Sequence, residues 1–389
     1  MLGPKGQRRL IGGRTICFVL VILLGGMTWC SSGVTWGGTS SWLDWLFALF
    51  SADDIPQRPP LTEQDRIAID KTRALLETYG DSASNSLMLG VFAAADGNAP
   101  VAREYFKRAY ASDSAKSLLP LTMAAQTYVQ VGNYAEAKLL HSQILQESGS
   151  RGSPLALQKI NAYLDLAVVC SKLKELDEAA ADANRAKDLL QASQGSLSAT
   201  QMAFAYLQLG TVYGDSLRNS VAAQQAWQAG QALSEQQPDR VNPRIMLQLN
   251  LKMIENQPKD APEASLNRYF KNASQAITRL DGESRLAAQT RLGEQFADLA
   301  VKSKGTPQAK SYADLAESQL RSVRELPLTD ASAERAVLKA RAIEAEKKIA
   351  GLRRGRTSSS QLNKEMETAE KHLMAERLKS STELRPPQP

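Results

Sequence analysis

A pattern of small and aromatic residues returns along most of this chain, and it restricts the possible folds more than any other feature of the sequence. In residues 89–110, LGVFAAADGNAPVAREYFKRAY, the pattern is Leu89, Gly90, Ala93, Gly97, Ala102, Phe106 and Ala109. Residues 124–144 fill the same places with Ala125, Tyr128, Gly132, Tyr134, Ala137, His141 and Ile144. A third unit uses Leu166, Ala167, Cys170, Ala179, Ala183 and Ala186. A fourth uses Leu209, Gly210 and Tyr213 and then, after one inserted residue, Ala223, Trp227 and Gly230. Two weaker units centre on Leu266, Phe270 and Ala273 and on Leu292, Gly293, Phe296, Ala309, Ala313 and Ala316. From Ala102 the same place recurs at Ala137, Ala179, Ala223, Leu266 and Ala309, at intervals of 35, 42, 44, 43 and 43 residues. Small residues at helical spacing let two helices approach, and aromatics fill the gaps beside the contact. No unit of this kind buries its apolar face alone, so the prediction is an all-α chain of stacked helix pairs sharing a continuous core.

These residues resemble the tetratricopeptide repeat, whose pattern runs Leu-Gly, an aromatic, Gly, an aromatic, Ala, an aromatic and Ala along two antiparallel helices. The resemblance covers about residues 83–325 and is closest in the first, second and fourth units. It implies a right-handed α-solenoid of about six helix-pair repeats, with extra turns or longer loops where the interval exceeds the ~34 residues usual for this repeat. It also implies a concave groove, lined by the first helix of each pair, that holds an extended peptide or a partner helix. Mapping repeat positions onto that groove gives Gln126, Gln130, Asn161, Asp165, Lys172, Gln208, Thr211 and Asp215 as partner-binding candidates. Amides and hydroxyls bond a peptide backbone with little regard to its side chains. The lysine and asparagine clamp that family members use on chaperone tails is missing from these places.

The two ends of the chain read differently from its body. Lys5, Arg8, Arg9 and Arg14 precede the apolar run ICFVLVILLGGM at residues 16–27, and no charge follows until Asp44. This is a membrane-entry segment. The tryptophans and phenylalanines of WLDWLFALF, residues 42–50, suit the interface beyond a short span and favour a retained anchor. A cleaved signal, with Ser31 and Gly33 near the cut, is the alternative; lipidation, twin-arginine export and a buried cytosolic helix are the others. With the cations held inside, everything after the span is exported. SADDIPQRPP then gives a Pro-rich linker, so the expected division is 1–50 membrane segment, 51–61 linker, 62–329 repeats, 330–351 capping helix and 352–389 charged tail. Thr62 and Asp65 suit a helix start, and Ile67, Leu75 and Leu76 recur at helical spacing.

Charge argues against nucleic acid. The chain carries a net +6, but residues 1–50 hold +3 and residues 331–389 hold +5, which leaves −2 on the body between them. Such a body has no surplus of cations to exchange for phosphate counterions. Enzymatic constellations are missing too: there is no phosphate-binding Gly-Lys-Ser/Thr loop, no paired-histidine metal motif and no Gly-x-Ser-x-Gly elbow. Of the two histidines, His141 takes an aromatic packing place and His372 sits in the charged tail. Asp177 and Glu178 are adjacent on a helix and point apart, and the three cysteines, Cys17, Cys30 and Cys170, have no metal or disulfide spacing. The expected function is a membrane-anchored, exported scaffold that binds protein or peptide partners, with no catalytic, metal or cofactor residues and no small-molecule substrate. A structural subunit of an envelope complex is the first alternative, and an enzyme with a dispersed site is the second.

Overall fold

The computed structural model describes residues 82–350 apart from 114–117, 151–155, 258–261 and 328–332, together with residues 73, 74, 76, 78, 352 and 359–383. The apolar amino-terminal run, the Pro-rich linker and the helix start expected at Thr62 lie outside the described residues. Among the described residues there are fourteen α-helices and no strand. None of these helices is long and apolar enough to cross a membrane. The chain divides into two compact units, Met1–Leu189 and Leu190–Pro389.

In the first unit the helices are α1 (Ala83–Ala95), α2 (Ala99–Ser112), α3 (Leu119–Gln130), α4 (Tyr134–Ser150), α5 (Ala156–Lys172) and α6 (Leu176–Ala192). Local chemistry starts them. The Ser82 hydroxyl accepts from the Asn85 N–H at 3.1 Å, and Asn98 caps α2, whose second residue is Pro100. Their apolar faces then meet. Phe106 of α2 sits edge-on to Tyr128 of α3, ring centroids 5.5 Å apart, in a cluster with Phe92, Ala124, Ala137 and Val169. A Cβ placed on Gly90 would fall 2.5 Å from a ring carbon of Phe106, so the helix pair approaches this closely only because position 90 has no side chain. Leu118, Leu121, Ile144 and Ala162 form a second cluster.

The second unit contains α7 (Ala199–Thr211), α8 (Ser220–Gln236), α9 (Pro243–Glu255), α10 (Glu263–Thr278), α11 (Gly282–Lys302), α12 (Gln308–Arg324), α13 (Ala333–Ala350) and α14 (Ser359–Glu383). Ser198 and Gln201 form a reciprocal capping box at the start of α7. Phe296 of α11 is enclosed by Phe270 and Tyr312, at centroid distances of 5.0 and 6.1 Å. The helix expected to close the array, α13, buries Ala336, Ala342, Ile343, Ala345 and Ile349, and α14 packs against it while burying Leu362 and Ala369.

One turn recurs, and it carries the sequence interval into the backbone. Gly97, Gly132, Lys174 and Arg218 have φ of 78°, 79°, 69° and 54°. They stand 35, 42 and 44 residues apart, each five residues before Ala102, Ala137, Ala179 or Ala223. The residue after each donates its N–H back to the preceding helix: Asn98 to Ala93 at 2.9 Å, Asn133 to Tyr128 at 2.8 Å and Glu175 to Cys170 at 2.9 Å. This is the bond that closes a helix through a left-handed residue, which glycine adopts without steric penalty. At the fourth turn Asn219 donates to Tyr213 at 2.7 Å, reaching one residue further back.

That extra residue has a physical home. Small residues on paired helices are 12 apart at Gly90/Ala102, Ala125/Ala137 and Ala167/Ala179, but 13 apart at Gly210/Ala223. Between the last two the helix widens into a π turn, Val212–Ser216, which absorbs the insertion. Trp227 fills the place. Its indole is buried against Gly210 and Gly214, where a Cβ at Gly210 would overlap the ring, and its Nε1–H donates to the Leu207 carbonyl at 3.2 Å.

Candidate functional site

The groove candidates of the first unit fall on helical stripes. Along α5, Asn161, Asp165, Val168 and Lys172 are half-buried or exposed, whereas Ile160, Ala162, Leu164, Leu166, Ala167, Val169 and Cys170 are buried. The spacing of four, seven and eleven residues from Asn161 makes them one face of the helix. On α3, Gln126 is half-buried and Gln130 exposed, one turn apart. Among the described residues, none of Gln126, Gln130, Asn161 and Lys172 has a side-chain hydrogen bond or ion pair.

The second helices of the pairs contrast with this. Arg103 of α2 holds Glu136 of α4 through two parallel bonds, one of them 3.0 Å from Nε. Lys138 bonds Glu175 and Glu178 at 2.7 and 2.8 Å. These two bonds raise the Lys138 ammonium above its ordinary value and, from the other side, lower the Glu175 carboxyl. These five charges on α2, α4 and around the start of α6 are therefore met within the chain.

In the second unit Gln208 is half-buried and has no side-chain partner among the described residues. Thr211 and Asp215 are engaged: the Thr211 hydroxyl donates to the Leu207 carbonyl at 3.0 Å, and Asp215, inside the π turn, stands 3.7 Å from the Lys252 ammonium. That ammonium also lies 5.9 Å from the Trp227 ring centroid. The sequence put these two residues on an open face without showing that the wider turn rearranges it.

Asp165 has an unusual neighbour. Its Oδ2 is 3.9 Å from Nδ1 of His141 on α4. His141 is 1% exposed, and neither ring nitrogen has a hydrogen-bond partner among the described residues. Burial pushes the imidazole down to about 4, so it is neutral at physiological pH. The Asp165 side chain is 30% exposed, but enough protein surrounds it that loss of hydration pushes its carboxyl up to about 7. Sequence reasoning placed His141 in the core and Asp165 on the open face and missed that they meet. The available signal was an ionisable ring at a place filled by Phe106 and Trp227 in other units.

Two further clusters differ in kind. Cys170 Sγ and carboxylate oxygens of Glu178 and Asp182 lie within 4.8 Å of one another. Lys138 already bonds Glu178 at 2.8 Å and Arg185 bonds Asp182 at 2.7 Å, while burial pushes the Cys170 thiol up to about 11. A cation would have to displace both partners and the thiol proton, so the set behaves as a closed network. In the second unit, Arg324 of α12 and Glu346 of α13 are 7% and 5% exposed and bond at 2.5 Å, with Glu365 of α14 3.7 Å from Arg324 Nε. Burial works against the Arg324 charge, but Glu346 and Glu365 outweigh it and hold the guanidinium above its ordinary value. Burial raises the Glu346 carboxyl in spite of Arg324, helped by the like charges of Glu317 and Glu365.

No nucleophile with an adjacent base emerges from these geometries among the described residues. What the first unit offers is a row of polar side chains with no protein partner among the described residues, beside a carboxylate without a cation, and such groups can bond a polar chain. No family model matches the sequence, and comparison with curated proteins finds no match either.

Proposed function

We propose that this chain is a tetratricopeptide-like scaffold, anchored by its amino-terminal apolar segment with the repeats exported, that binds a partner peptide or helix along the first helices of its pairs. The observation that carries the reading is the contrast within the first unit. On the second helices and beside them, Arg103 meets Glu136 and Lys138 meets Glu175 and Glu178, whereas Gln126, Asn161 and Asp165 have no hydrogen bond among the described residues. Polar groups half-withdrawn from water and left without partners gain most from a ligand that supplies them. The left-handed turn recurring at 97, 132, 174 and 218 supports the repeat part of the reading. The charge pattern around residues 16–27 supports the anchor and the direction of export.

Changing Gln126, Asn161 and Asp165 together to Ala tests the binding face. Crosslinking in intact cells followed by mass spectrometry should show partners of the parent lost from the triple variant. The changes at Gln126 and Asn161 should each shift stability by about 0.5 kcal/mol or less, and removing the half-withdrawn Asp165 carboxylate should not lower stability at neutral pH, so helicity is kept and the melting temperature does not fall. A matched change of Lys364, Glu367 and Lys371 on the exposed face of α14 should leave capture intact. If the α14 triple loses the partners and the groove triple keeps them, the binding element is α14 and the reading fails. The anchor is tested separately: full-length protein should resist alkaline carbonate extraction, and protease added to spheroplasts should digest the repeats.

A further inference from the structure

Many carboxylates among the described residues are met by a cation of the same chain: Glu136 by Arg103, Glu175 and Glu178 by Lys138, Asp182 by Arg185, Glu235 by Arg268, Glu294 by Arg341 and Glu346 by Arg324. Asp165 departs from that habit. No lysine or arginine among the described residues lies within ion-pair distance of it, and it accepts no hydrogen bond from them. Lys172, on the same stripe of α5, is seven residues away, about 10 Å along the helix axis and too far to pair. The nearest polar atom is Nδ1 of His141 at 3.9 Å, on a ring that is itself fully enclosed and has no partner for either nitrogen. Surrounding protein withholds water from the carboxylate, and the ring behind it is neutral and contributes no charge.

We propose that Asp165, backed by His141, is the receptor for a basic side chain, lysine or arginine, of the partner segment that lies along α5; this rests on the binding face described above. A carboxylate can only accept, and a half-withdrawn one is stabilised most by a donor that also brings positive charge. A neutral amide of a partner backbone would supply a donor and leave the charge unmatched. The imidazole suits a cation because it is uncharged and does not repel it. Asn161, one turn away on the same face, provides an amide for the backbone beside the basic residue.

The chain has only two histidines, so full-length protein labelled with 13C at histidine Cε1 gives two signals, one from His141 beside the proposed site and one from His372 as an internal reference. The His141→Gln variant assigns them. The probe is the capped pentapeptide Ala-Ala-Lys-Ala-Ala at millimolar concentration, with arginine and norleucine versions for comparison. The expected result is a saturable shift of the His141 signal with the lysine and arginine peptides and none with norleucine. Asp165→Asn should weaken that response at least about tenfold and Asp165→Glu should retain it, with the His372 signal unmoved as a check on folding. An equal response to norleucine, an unchanged response in Asp165→Asn, or no response to any peptide overturns the proposal. Its failure is distinct from failure of the binding face. Cellular partners lost from the groove triple but retained by Asp165→Asn would keep the face and remove this site. A lysine-dependent shift with unchanged partners in the groove triple would do the converse.

Discussion

One place in each unit withdraws ionisable groups from water, and the two places treat them in opposite ways. At the junction of α12, α13 and α14 the Arg324 guanidinium lies 2.5 Å from Glu346. In the first unit Asp165 faces a neutral imidazole 3.9 Å away and has no cation of its own. The first arrangement is closed: charge and counter-charge come from the chain, and the result is a lock between helices. The second is open, because the compensating group is missing from the described residues. Burial of charge is thus not by itself a sign of function. What separates the two places is whether the partner is supplied from within.

The largest effect that would break this comparison is at the lock. Arg324→Met should destabilise the protein by about 3 to 5 kcal/mol, because Glu346 is left buried without its partner. Chemical denaturation measures it, and a loss below about 1 kcal/mol would mean that the pair is not closed as described. A lesion without charge sets the scale beside it: Gly210→Ala pushes a methyl group into the Trp227 ring and should cost about 1 to 3 kcal/mol by the same measurement. Smaller again is the double change Arg324→Met with Glu346→Leu. It should recover most of the single loss, to within about 1 kcal/mol of the parent, since a well-packed apolar pair often replaces a buried ion pair without penalty.

The smallest effect is expected at the open site, as an opposition of slopes with pH. Asp165 is raised from 3.8 to about 7 on folding, so its contribution is fully present below pH 3.8 and is lost as pH rises to about 7. His141 is lowered from 6.5 to about 4, so its contribution is present above pH 6.5 and is lost as pH falls to about 4. Between about pH 4 and 6.5 the two slopes oppose each other. Relative to the parent, Asp165→Asn should become more stable as pH rises through this window, and His141→Leu should become less stable. Melting temperatures taken across the window check both signs, and parallel curves for all three proteins would show that neither group is withdrawn from water.

Much of the architecture was legible because it depends on contacts between residues at fixed separations. Gly90 against Phe106 and Gly210 against Trp227 are one small and one large residue that the chain's own spacing brings together, and the recurring interval announces them. The helical class follows from the same spacings. Asn161, Asp165 and Lys172 could be placed on a common face because period alone decides it. What period does not carry is the identity of a neighbour on another helix. The approach of His141 to Asp165, the capture of Asp215 by Lys252 and the Arg324 lock each join residues 22 to 37 positions apart, through packing angles that the pattern does not encode. Thr211 was misleading for a local reason: its hydroxyl turned back to the Leu207 carbonyl, as threonine within a helix commonly does.

The π turn at Val212–Ser216 has a consequence for how such a chain changes length over generations. An added residue in an ordinary α-helix rotates everything downstream by about 100°, which would turn a core face toward solvent. Here the extra residue swells one turn, and Ala223 and Trp227 still arrive against Gly210 and Gly214. An insertion absorbed in this way leaves the packing faces in register, so what the helix pair keeps is which residues touch and not how many separate them.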